Sequence, residues 1–202
     1  MFKATFLAVS ASMAALTLPA AAQQPAPIEP QQIIDSAFIA RIREWAANPI
    51  LAVTLRAQNK RHATIAQAQI DELDGRWRKE TKAEDQPLIS ATLTSPLSIF
   101  LLRVQAASLG TYAEVFVMDN KGLNAGQSTV TSDYWQGDED KFKKTFNVAP
   151  DAVFIDKPEY NEATKSWRAQ VSLTLVDPDS KEKIGAITIE VNLTEMLRRK
   201  TS

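Results

Sequence analysis

At Gly110 the hydrophobic period of this chain changes, and that change limits what it can fold into. Before Gly110 apolar residues recur three and four apart; after it they alternate. Ile34, Phe38, Ile42 and Trp45 make one apolar face of a helix from about Gln31 to Ala47. Asn48-Pro49 interrupts it, because Pro49 lacks a backbone donor and disfavours helical geometry at Asn48, so the helix should kink or restart there. The period resumes through Leu51, Leu55, His62, Ala66, Ile70, Leu73 and Trp77. Residues 31–80 thus read as one long helical segment or a kinked helix pair, far longer than an average globular helix. Such a stripe is either a homodimer surface through the N-terminal helix or the face that packs on its own domain.

Lys79 to Gln86 is charged and reads as a loop, and a short helix is expected over 88–93. Ser95 then caps and Pro96 opens a helix through Leu97, Phe100, Leu101 and Val104 that Gly110 ends. Beyond it, Tyr112–Met118, Ala152–Lys157, Trp167–Val176 and Ile184–Leu193 have the β-branched and aromatic character of strands. A shorter strand around Gln127–Thr131 would pair with the first across the Asp119-Asn120-Lys121-Gly122 turn. The Asp177-Pro178-Asp179-Ser180 stretch predicts a hairpin between the last two strands. One helix, 138–146, is inserted between the second and third strands. The sum is α+β: a long N-terminal helix or kinked helix pair on a roughly five-stranded antiparallel sheet spanning 112–193.

The first residues carry a different signal. Lys3, an apolar run from about Phe6 to Leu18 and Ala20-Ala21-Ala22 fit a secretory signal peptide, 1–22, cut before Gln23. The run is shorter than the roughly 20 apolar residues of a spanning helix. Residues 23–30, rich in Gln, Pro and Ala, read as a flexible leader, and 31–202 as a single domain. An exported, periplasmic product is expected. The absence of cysteine excludes thiol catalysis, thiolate metal sites and disulfides. A net charge of −1 with both signs interspersed gives no field for nucleic acid.

Nothing compels an enzymatic reading. His62 is the single histidine and lies on the apolar side of a helix, so it reads as a packing residue; no triad or His-based metal site forms around it. Asp133, Asp138, Glu139 and Asp140 are either a weak cation or polyamine site, or a cap by Asp138 with the others favouring the helix dipole. Tyr134 and Trp135, adjacent in a polar loop, either enclose a small ligand or cover the sheet edge. Lys157, Arg168 and Arg103 are the candidates to meet a carboxylate. No cofactor and no metal is expected.

The order Val115-Phe-Val-Met-Asp-Asn-Lys-Gly122, then Thr131-Ser-Asp-Tyr-Trp-Gln-Gly-Asp-Glu139, then Val153-Phe-Ile-Asp-Lys-Pro-Glu-Tyr160 with Trp167, and Ile184-Gly-Ala-Ile-Thr-Ile-Glu-Val191, resembles the Cache or PDC family of PAS-like extracytoplasmic sensor domains. The resemblance covers most of 31–202. It implies a PAS/Cache-like sheet and a pocket between that sheet and the loop-helix segment, taking an amino acid, a carboxylate or a similar small molecule. On it, Tyr134 and Trp135 would wall the pocket, Lys157 and Tyr160 would approach from the third strand, and Trp167 and Arg168 would begin the fourth. Asp133 stands in the same loop. Amino-acid-binding members carry an Arg-x-Trp pair where this chain reads Asp140-Lys141-Phe142. Receptors of the family continue into a membrane helix and a signalling domain, whereas this chain stops. The expectation is therefore a periplasmic binding domain that presents occupancy to a partner such as a membrane receptor's periplasmic part. The alternative is an interaction protein working through its long helix.

Overall fold

The computed structural model describes residues 25–200, so the expected signal peptide lies outside the described residues. Residues 25–30, expected within a flexible leader, lie against the sheet. The Trp167 indole N–H donates to the Pro25 carbonyl at 3.2 Å, and Ile28 packs on the core.

Three helices occupy the stretch expected to be one or two. α1 is Ser36–Ala46, α2 Pro49–Arg61 and α3 Gln67–Glu80. The break at Asn48-Pro49 is the expected one, and the Asn48 side chain accepts from the Ile50 N–H to cap α2. The second break, at 62–66, corrects the long-helix expectation. His62 ends α2 with its ring turned to Asp119, and Gln69 reaches back to the Ala66 N–H to start α3. α4 is Pro87–Leu93 and α5 Pro96–Ala107, the latter capped by Ser95, whose Oγ accepts from the Ser98 N–H. Leu109 and Gly110, at φ 53° and 89°, turn the chain out of α5.

The sheet has six strands: β1 Tyr112–Met118, β2 Asn124–Gln127, β3 Val153–Ile155, β4 Glu159–Asn161, β5 Ser166–Val176 and β6 Lys183–Asn192. All pairs are antiparallel, in the order β2-β1-β6-β5-β3, with β4 also on β5. The strand expected at 127–131 forms three residues earlier, because Asp119 closes a tighter turn. Its Oδ1 accepts from the Lys121 and Leu123 N–H groups at 2.8 and 3.0 Å, with Gly122 at φ 81°. The inserted helix is one turn, α6 Asp140–Lys143, entered from Glu139 without a side-chain cap, so Asp138 is not its cap. α7, Leu193–Lys200, is the last element of the described residues. No single helix among the described residues is long and apolar enough to cross a membrane.

Strand alternation assigns the two faces. Val115, Val117, Ala169, Val171, Leu173, Ile187 and Ile189 point to one side and pack on Phe38 and Ile42 of α1, Leu55 of α2 and Leu97 and Leu101 of α5. Burying each such side chain contributes about 1.5–3 kcal/mol. Two smaller clusters complete the interior. Trp77, Ile70, Ile89, Leu123 and Tyr134 form one beside α3 and α4, and Phe116, Met118, Ala186 and Phe142 form the other, on the far face.

Candidate functional site

The face of the sheet away from the helices is apolar at one end and charged at the other. Phe142 stacks on Phe146 at 5.0 Å, and together they cover Phe116, Met118 and Ala186. Where that cover stops, the strands present Glu114 from β1, Glu190 from β6, and Arg168 and Gln170 from β5. A cavity of about 220 Å³ opens over the last three. Arg168, Gln170 and Glu190 form its floor, Asp156, Lys157 and Glu159 one wall, and Glu139, Asp140 and Lys141 the other. A pocket of about 50 Å³ adjoins it, lined by Glu114, Phe116, Gln136 and the loop residues Thr131, Ser132 and Asp133. Lys141 and Gln170 belong to both.

Charge dominates this site. Arg168 pairs with Glu190 at 2.8 Å, both largely buried. Glu114 lies directly across the ladder from Glu190, an unfavourable like-charge pairing. Burial pushes the Glu114 carboxyl above the usual range and the charge of Glu190 adds to that, while the Thr129 hydroxyl, donating at 2.8 Å, opposes it. Lys141 crosses the site, bonded to Glu139 at 2.9 Å and Gln136 at 3.1 Å, with its ammonium 5.4 Å from the Phe116 ring centre. Counted by residue, the two pockets hold seven carboxylates, Glu114, Asp133, Glu139, Asp140, Asp156, Glu159 and Glu190, against three cations, Lys141, Lys157 and Arg168.

Of the eight residues singled out in the sequence, Lys157, Arg168 and Asp133 line these pockets. Tyr134 does not. It is 7% exposed and stacks on Trp77 at 5.2 Å inside the α3–α4 cluster, where burial pushes its phenol up to about 12. Trp135 packs on the same cluster and donates its indole N–H to the Lys121 carbonyl at 2.8 Å. The aromatic pair is drawn away because Asp74 of α3 accepts both their backbone N–H groups. Tyr160 and Trp167 meet edge-on at 5.2 Å on the helix-facing side, so Trp167 and Arg168, adjacent in β5, serve opposite faces. Arg103 is exposed on α5, a helix packed on the opposite face of the sheet.

Three of the four acids grouped in the sequence as a cation site are tied to cations. Asp140 pairs with Lys144 at 2.7 Å, Glu139 with Lys141, and Asp133 with Arg78 at 3.1 Å. No group of three potential ligands is arranged for a metal among the described residues. His62 is no mere packing residue: its Nδ1 lies 2.7 Å from Asp119 Oδ2, in a knot joining α2 to the β1–β2 turn. Glu114, Gln170 and Glu190 were missed. Their signal is a charged or amide side chain at a strand position flanked on both sides by apolar residues.

Neither a comparison with protein-family models nor one with curated proteins gave a match. Among solved structures, the chain is similar to the sensor domain of the V. cholerae histidine kinase DctB at 12% identity and a TM-score of 0.38, over 74% of this chain and 59% of that one. It is similar also to the ligand-binding domain of the Pseudomonas aeruginosa PAO1 amino acid chemoreceptor PctC, in complex with GABA, at 12% identity and a TM-score of 0.41, covering 80% and 62%. A third is the ligand-binding domain of the Campylobacter jejuni chemoreceptor Tlp3, in complex with 4-methylisoleucine, at 10%, 0.39, 85% and 66%. The chain spans about three fifths to two thirds of these structures. With TM-scores below 0.5, they bear on neither the ligand nor the role of this chain.

Proposed function

We propose that this protein is an exported, non-catalytic binding domain of the sensor type, whose cavity over β5 and β6 takes a small polar molecule bearing an amino group and whose occupied state is read by a partner protein. The observation that carries this is the charged floor. Arg168 pairs with Glu190, Glu114 accepts from the Thr129 hydroxyl and has no ion pair among the described residues, and acids outnumber cations among the lining residues. A protonated amine where the two pockets adjoin would relieve the repulsion between Glu114 and Glu190 and give Glu114 a charged donor beside the Thr129 hydroxyl. An attached carboxylate would find Lys157 or Lys141 on the walls. Lys141 belongs to the wall segment and touches both pockets, so a ligand that engages it changes the contacts of 136–143, the surface presented to a partner. Export rests on the signal pattern of 1–22.

A thermal-shift panel of amines, amino acids and dicarboxylates tests this. A ligand at 100 times its dissociation constant adds about 2.7 kcal/mol, several degrees in Tm for a domain of this size. Amines and amino acids should raise Tm and dicarboxylates should not. Glu190→Gln should remove the shift, and Trp135→Ala, away from the cavity, should leave it. Silence across the panel, or a shift undiminished in Glu190→Gln, overturns the assignment.

A further inference from the structure

The two edges of the sheet end differently. At β2 the outward backbone groups are taken: the Gln127 N–H donates to Ser98 Oγ and the Asn124 N–H to the Tyr134 carbonyl, both at 2.9 Å, and the Asn124 carbonyl accepts from Gln58 at 3.3 Å. At the other edge stands β3. The Thr174 N–H donates to the Ala152 carbonyl at 3.2 Å and the Asp156 N–H to the Gln170 carbonyl at 2.9 Å. Residues 152, 154 and 156 therefore turn their backbone groups to β5, and Val153 and Ile155, between them, turn theirs outward. Neither the N–H nor the carbonyl of Val153 or Ile155 has a hydrogen-bond partner among the described residues.

The surroundings of this edge are apolar, with one free cation. Val153, 39% exposed, and Ile155 lie across from Leu173 and Val171 on the helix-facing side. There a hollow of about 180 Å³ opens between the end of α1 and β5, lined by Ala46, Ala47, Leu173, Leu175 and Arg43 among others. Arg43 ties it to the head of β3, donating to the Asp151 carbonyl at 2.9 Å, and has no ion pair among the described residues. The strand also borders the amine cavity. It runs directly into the wall residues Asp156 and Lys157, and Lys144, just after α6, holds its ammonium 4.6 Å from the Phe154 ring centre.

From this we infer that the open edge of β3 is a docking site for an extended segment of another protein, which joins the sheet as a further strand, bonds to Val153 and Ile155, lays apolar side chains on Val153 and the hollow, and sets a carboxylate on Arg43. Each of the two residues offers a donor and an acceptor on one side of the strand, a pattern that extended backbone matches and a lipid or a small solute does not. That this edge is where occupancy is read rests on the proposed function of the cavity; the docking itself does not.

Hydrogen exchange of the full chain, without cavity ligand, is the test. The probe is a capped peptide of alternating threonine and valine with a glutamate at each end, so that either strand direction can meet Arg43. It should slow exchange at the Val153 and Ile155 amides at least about tenfold. The same peptide N-methylated at every residue should have no effect, and one ended by lysines a smaller effect. Val153→Pro removes an outward donor at the first residue of an edge strand, where proline is tolerated, and should abolish protection of Ile155 with circular dichroism unchanged. If that variant does not fold, Val153→Lys, which places a charge on the edge, should give the same result. Glu190→Gln should leave the peptide effect intact, which separates failure of the docking from failure of the cavity. Protection at other amides only, equal protection by the N-methylated or lysine-ended peptide, undiminished protection in the Val153 variants, or amides already protected without peptide, as a contact between copies would make them, would each overturn the inference.

Discussion

Replacing Asp119 should damage this fold more than any other single polar substitution at a turn. The side chain is wholly buried and accepts four hydrogen bonds: the Lys121 and Leu123 N–H groups on Oδ1, and Gln58 at 3.0 Å and His62 at 2.7 Å on Oδ2. In Asp119→Ala the Leu123 N–H and one Gln58 N–H lose their acceptor inside the protein, although Gln58 keeps the Asn124 carbonyl at 3.3 Å. A stranded buried donor costs about 1–3 kcal/mol, so the two together should cost about 2–6 kcal/mol. Asp119→Asn retains Oδ1 for the two backbone groups but turns an amide N–H toward Gln58, and should cost about 1–3 kcal/mol. His62→Ala removes one bond at a partly exposed ring and should cost about 1 kcal/mol. Urea unfolding resolves the series: with a slope of about 2 kcal/mol/M, Asp119→Ala should lower the midpoint by roughly 2 M. If alanine costs less than about 1 kcal/mol, or asparagine as much as alanine, the turn is not held by this carboxylate.

The remaining predictions concern charge and close approach. Glu114→Gln should stabilise the protein at neutral pH, because the folded-state carboxyl is held above its ordinary range. Its favourable contribution is present at low pH and lost as pH rises past that range, so the variant's advantage should vanish in acid, as a pH series of urea midpoints will show. Asp177 behaves in the opposite sense. The Arg56 side chain holds its carboxyl far below the usual value, so its contribution is present above the ordinary carboxylate range and lost only as pH falls through the depressed one. Arg56→Met should accordingly bring the acid-unfolding midpoint to higher pH. Gly185→Ala should cost about 1–3 kcal/mol or more in a thermal melt, since a Cβ there overlaps the Met118 carbonyl of the neighbouring strand, which the ladder holds in place.

The sequence made the layers legible because periodicity reports burial directly. The change at Gly110, the Ser95-Pro96 cap and the strand at 112–118 are all local in cause, and the structure keeps them. The break at His62 was hidden because its cause is distant: Asp119, 57 residues on, takes the imidazole. β4 was missed for a similar reason, being three residues long and held only by its register with 166–168 of β5. The site was half legible. Arg168 and Lys157 stood out as charges, but the alternation that put Trp167 on the helix side and Arg168 over the cavity also assigned Gln170 and Glu190, and it was not followed across the strands. Tyr134 misled because a polar loop in sequence need not be a surface in space; Asp74 of α3 holds that loop by its backbone.

The strand order has a consequence for how the protein is made. β5 and β6, the two central strands, are the last of the described strands to leave the ribosome, after β1 and β2, the helices from α1 to α6 and the short β3 and β4, and before α7. Until β6 is synthesised, Val115 and Val117 have β2 on one side but lack their β6 partners Ile189 and Ile187 on the other, and the helices lack the part of the core that β5 and β6 supply. The nascent chain therefore cannot complete its core early; folding waits for the final hairpin, and a chain delivered across a membrane N-terminus first would remain unfolded and threadable until almost all of it had passed.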